Sequence, residues 1–101
     1  AALVRPYRLH PTLTPARRLW LETLEQGPTT ELTTNRAAAD CLSLGWSDWW
    51  IQVKATGRLM SETEHLKTNG GDPFDVVAIG QCLTDRGQAV LEQARKREDN
   101  P

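Results

Sequence analysis

The residues of this chain best equipped for chemistry are arginines, and they are unevenly placed. Arg5, Arg8, Arg17 and Arg18, with His10, fall within the first 18 residues, where there is no acid. Arg95-Lys96-Arg97 form a second group, followed at once by Glu98 and Asp99. Clustered guanidinium groups without counter-charges suit phosphate contact, because a planar fork of donors meets phosphate oxygens in pairs. Between the two groups, Arg36 and Asp40 stand one helical turn apart, close enough to pair. Lys54, Arg58 and Lys67 are balanced by Glu62, Glu64 and Asp72. The formal net charge is −1, so a phosphate-binding surface has to arise from placement and not from a basic excess.

Catalysis needs a nucleophile and a base brought together in a pocket, or a metal. His10 and His65 each stand isolated, and Asn69-Gly70-Gly71 lacks the spacing of a phosphate loop. Cys41 and Cys82 belong to no CxxC or CxxH pair, so no zinc set is expected. The expectation is a non-enzymatic protein with no metal and no cofactor. Both cysteines read as reduced and partly buried, the usual state in the cytoplasm. Of the four tryptophans, Trp20 and Trp46 read as core. Trp49 and Trp50 are consecutive and cannot both face inward from a regular strand. By parity Trp50 is the outer one, either covered by another segment or exposed as an anchor for a protein partner.

The chain of 101 residues is the length of one domain. No apolar run approaches the roughly 20 residues that cross a bilayer, so no membrane partner is expected. Residues 1–12 read as an extended basic arm, with Pro6 and Pro11 and no clear period. Thr14 is a good N-cap and Pro15 suits a first helical position, so a helix runs from there to Gly27-Pro28. Its expected inner face is Ala16, Leu19 or Trp20, Thr23 and Leu24. Thr29–Thr34 is β-branched and long enough for one helical turn, with Leu32 inward. A further helix follows, capped by Thr34 or Asn35 and closed by Gly45. Its inner face is Ala38, Cys41 and Leu42, and its outer stripe is Thr33, Arg36, Asp40 and Ser43. Strands are expected over 49–55 and 75–83. The long connection between them holds a short helix at 62–67, because Ser61-Glu62-Thr63-Glu64 has capping-box spacing. Thr84 caps a last helix that frays over its final residues, leaving 98–101 as a disordered tail.

Three strings share the order and character of a known architecture. LTPARRLWLETLEQGP (13–28), AAADCLSLGW (37–46) and CLTDRGQAVLEQA (82–94) resemble the first helix, the recognition helix and the wing-to-helix junction of the winged helix-turn-helix family. The resemblance implies an α+β domain over 13–97 with three N-terminal helices, a two-stranded wing with a long loop, and a C-terminal helix. It implies a DNA-binding protein, a small transcription regulator or a phage-type relative. Helix 34–44 would then enter the major groove. Thr34, Asn35, Arg36 and Ser43 would make contacts there, with Lys54 and Arg58 on the wing and Arg5 and Arg8 on the arm. Double-stranded DNA would be the partner. A homodimer would form through Val90, Leu91 and Ala94 of the last helix, since paired half-sites double the surface bound. The alternative reading is a protein-binding adaptor of the same fold without DNA affinity, using Trp50.

Overall fold

The computed structural model describes residues 13–32, 35–68 and 72–99. The arm, Thr33, Thr34, residues 69–71 and the final two residues lie outside them. Helix α1 spans Pro15–Glu25 and starts as its sequence dictates. The Thr14 hydroxyl accepts from the Arg17 backbone N–H at 3.2 Å, with Pro15 in the first turn. Helix α2 spans Arg36–Leu44. Asn35 caps it, accepting from the Ala38 N–H at 2.8 Å, and Gly45 ends it in the left-handed conformation with φ 77°. Strands β1 (Ser47–Val53), β2 (Leu59–Ser61) and β3 (Val76–Leu83) form one antiparallel sheet in the order β2-β1-β3. Helix α3 (Glu62–Thr68) and a short 3-10 turn (Pro73–Asp75) lie between β2 and β3. Helix α4 (Asp85–Asp99) closes the chain.

Two expectations of the architecture change. Thr29–Leu32 is not helical, because Thr29 is tied to the sheet instead. Its N–H donates to the Gln81 carbonyl at 2.9 Å, and its hydroxyl accepts from the Gln81 N–H at 2.9 Å. Two helices precede β1 among the described residues, and Thr33 and Thr34 of the expected further turn lie outside them. The sheet also has three strands, not two. After β1 the chain turns back through Gly57, at φ 74°, and the Gly57 and Val53 N–H groups close the turn onto Val53 and Arg58 carbonyls. Leu59-Met60-Ser61 is too short to show a strand period, but it pairs fully with Trp50–Gln52. The last helix also continues past Arg97, where the tail was expected to begin.

The core has two parts. Leu21, Cys41, Trp46 and Leu91 are buried where α1, α2 and α4 meet, with Leu13, Trp20, Leu44, Leu83 and Val90 packed around them. Ile51, Val53 and Met60 form a second cluster on the sheet, flanked by Trp49, Val76 and Ala78. In β1, Ile51 and Val53 face inward as expected. In β3 the expected face of Val77, Ile79, Gln81 and Leu83 breaks. Trp50 pairs with Gly80 and Ile51 with Ala78, so Ile79 is an extra residue. A bulge of this kind shifts which side chains face the core, and Val77 is left exposed. In α1 the inner face is Leu21 and Leu24, while Leu19 points to solvent and Trp20 is half-buried.

At the junction of α2, β1 and α4 the backbones approach too closely for a side chain. The Thr84 hydroxyl donates to the Gly45 carbonyl at 2.7 Å and accepts from the Gly87 N–H at 3.0 Å. Its backbone N–H reaches the Trp46 carbonyl at 3.3 Å. A Cβ on Gly87 would stand 2.1 Å from that same carbonyl oxygen. Gly87→Ala therefore has a diagnostic sign. In a free helix the change stabilises by about 1 kcal/mol. Here it is expected to destabilise by about 1–3 kcal/mol, read as a lower urea midpoint with an unchanged slope.

Candidate nucleic-acid interface

Helix α2 presents the residues that the sequence singles out. Arg36 extends into solvent with its side chain 92% exposed. Ser43 is exposed two turns further along the same stripe. Asn35 is exposed, but its carbonyl oxygen is committed to the cap. Arg5, Arg8 and Thr34 fall outside the described residues. Lys54 and Arg58 belong to a different element, the turn between β1 and β2. Lys54 is committed there, its amine donating to the Phe74 carbonyl at 3.1 Å, while Arg58 is exposed. Trp50 lies on the central strand of the sheet, paired on both sides, and is half-buried. With β2 and β3 on either side, its strand is not at an edge.

The decisive contact on α2 comes from α1. Arg17 donates to the Asp40 carboxylate through Nη2 at 3.1 Å and Nε at 3.4 Å. The Arg36 guanidinium is 3.9 Å from the same oxygen. Asp40 is therefore matched by the half-buried Arg17, and Arg36 is left only loosely held. An exposed ion pair of that length contributes about 0–1 kcal/mol. Sequence spacing points to the Arg36–Asp40 pair; the Arg17–Asp40 pair spans 23 residues and has no local signal.

Two other arginines are spent inside the molecule. Arg18 bonds Glu22 at 3.0 Å and Glu98 at 2.5 and 3.0 Å. Arg95 grips Glu25 with two bonds of 2.8 and 2.7 Å. These pairs fasten α4 to α1. The apolar side of α4 does the same, with Leu91 fully buried and Val90 packed on the core. The Arg95 hydrogen bonds, then that of Gln88, hold the Glu25 carboxyl down to about 2.

A groove of about 410 Å³ runs between α1 and the start of α2, lined by Ala16, Leu19, Trp20, Thr23, Asn35, Arg36 and Ala37. Leu19 is 66% exposed beside it. Trp20 also borders a second hollow with Leu32 and Thr29. The Trp20 indole N–H is fixed by the buried Gln81 amide oxygen at 3.0 Å, which also accepts from Ser47 at 2.8 Å. Elsewhere, His65 is buried under the sheet with its Nε2 3.3 Å from the Asp72 carbonyl, and its Nδ1 has no hydrogen-bond partner. Among the described residues no group of three His, Cys, Asp or Glu side chains is placed to hold a metal. No described helix is long and apolar enough to cross a membrane. Cys41 and Cys82 are free thiols, and burial pushes both up to about 11.

No protein-family model matches this chain, and neither a curated protein nor a solved structure matches it.

Two measurements check these assignments. Glu25 ionises more readily in the folded chain than in the unfolded one. Its contribution to stability is thus present above its ordinary value of 4.5 and lost as pH falls towards about 2. Arg95→Ala should flatten the stability profile across that window. Native protein at pH 8 should react slowly with iodoacetamide, and both cysteines should react promptly in denaturant, because the thiolate is the nucleophile.

Proposed function

We propose that this chain binds duplex DNA through the exposed stripe of α2, as a small winged-helix-type protein in which α2 is the recognition helix. The observation that carries the reading is the Arg17–Asp40 pair. An acid on a recognition helix repels phosphates, and the −1 net charge makes any uncompensated acid costly. With Arg17 holding Asp40 from behind, the stripe offers Arg36, Asn35 and Ser43 to the groove. Arg36 suits a bidentate contact with guanine, and Ser43 a backbone contact. The order of elements supports the same reading: α2 passes through a left-handed glycine into β1, and β3 passes through Leu83-Thr84-Asp85-Arg86-Gly87 into α4. Arg58, on the turn after β1, supplies a wing contact to phosphate.

Electrophoretic or anisotropy titrations of three variants test this role. Arg36→Ala should weaken binding by about 1–3 kcal/mol and relax sequence preference. Arg17→Ala should also weaken it, by releasing Asp40, and Asp40→Asn placed on top of Arg17→Ala should restore it. Unchanged affinity and selectivity in Arg36→Ala would remove α2 as the reader. Failure of the Asp40→Asn rescue would mean that Arg17 does not act through Asp40.

A further inference from the structure

We propose that copies of this chain associate head to tail, the Phe74 knob of one copy seating in the α1–α2 groove of the next. Phe74 is 84% exposed, the most exposed of the large apolar side chains described. It is also held firmly. The Asp72 carboxylate accepts from the Phe74 N–H at 2.9 Å, the Asp75 N–H donates to the Asp72 carbonyl at 3.0 Å, and Lys54 caps the Phe74 carbonyl. With the backbone fixed, only the side-chain freedom of the knob is lost on docking.

The groove offers what such a knob needs. Its walls are Ala16, Leu19, Trp20 and Ala37, and its 410 Å³ admits an aromatic ring against the fixed Trp20. Charge selects the occupant. Asp72 and Asp75 flank Phe74 and outnumber the Lys54 ammonium that caps its carbonyl. The groove has no acid in its lining, and Arg36 stands at its rim almost fully exposed. Aromatic against apolar and carboxylate against guanidinium are thus matched between two different surfaces of the same chain. A contact between different surfaces is heterologous and either closes a ring or extends a chain of copies. Arg36 serves here as an ion-pair partner, so assembly and the DNA contact compete for it, but the association stands without any nucleic acid.

Sedimentation velocity of the DNA-free full chain at low salt, up to about 1 mM, tests the contact. The weight-average sedimentation coefficient should rise with concentration and fall back when salt is added. Phe74→Ala and Leu19→Asp alter exposed side chains, and circular dichroism should show both folded. Each should weaken association at least about tenfold. Mixed together, Phe74→Ala (intact groove) and Leu19→Asp (intact knob) should form a one-to-one pair and stop there. A wild-type chain that stays monomeric, whether because another segment fills the groove or because nothing does, would overturn the proposal. So would association unaffected by Phe74→Ala, or mixed variants that ignore each other while the wild type assembles.

Discussion

The close approach of Gly87 to the Trp46 carbonyl governs the rest of the molecule. Helix α2 ends at Leu44, the sheet begins at Ser47, and α4 begins at Asp85. Only two residues separate the first two elements, and Thr84 hydrogen-bonds to both of those residues from the start of the third. A side chain at position 87 would push α4 away from this corner. With the corner closed, Leu91 reaches the core beside Leu21, Cys41 and Trp46, and α4 is brought against α1. The ion pairs of Arg18 and Arg95 then follow from that placement and do not create it. Pairs so exposed contribute little individually, whereas the buried apolar side chains each contribute about 1.5–3 kcal/mol.

The same corner determines which charges are left for a partner. Arg18 and Arg95, which look available in the sequence, are consumed between α1 and α4. Arg17 is consumed too, but its effect reaches outward, because it cancels the acid on α2. A nearly neutral chain thereby acquires one helix face whose exposed charge is cationic. This is how uneven placement substitutes for net charge, and it makes Arg17 a positioning residue for α2 without being part of the exposed stripe.

Local signals were legible where the physics is local. Thr14-Pro15, Asn35, Gly45, Thr84 and the Ser61–Glu64 box all act within one turn of backbone, and each begins or ends a helix where the spacing predicts. The inner faces of α2 and β1 were legible from alternation. Long-range features were not. The Thr29–Gln81 tie, 52 residues apart, holds Thr29 to the sheet, and Thr29–Leu32 is not helical. The bulge at Ile79 has no residue signature and reverses the exposure of Val77. In α1 the run Leu19-Trp20-Leu21 is apolar on every side, so periodicity found Leu24 and left Trp20 as an alternative but missed Leu21. The stripe of Ala16, Leu19 and Thr23 expected in the core lines the open groove instead. On the candidate interface, Arg36 and Ser43 were legible as an outer stripe, and Arg17 was not, because its partner lies on another helix.

If the α2 face meets phosphate, the salt dependence of binding to a mixed-sequence DNA duplex shows it most directly. Binding is expected at low salt with a dissociation constant of about micromolar or tighter. On a double-logarithmic plot the affinity should fall linearly with salt, with a slope near −0.9 for each phosphate neutralised. Absence of binding at low salt, or an affinity indifferent to salt, would contradict phosphate contact at that face.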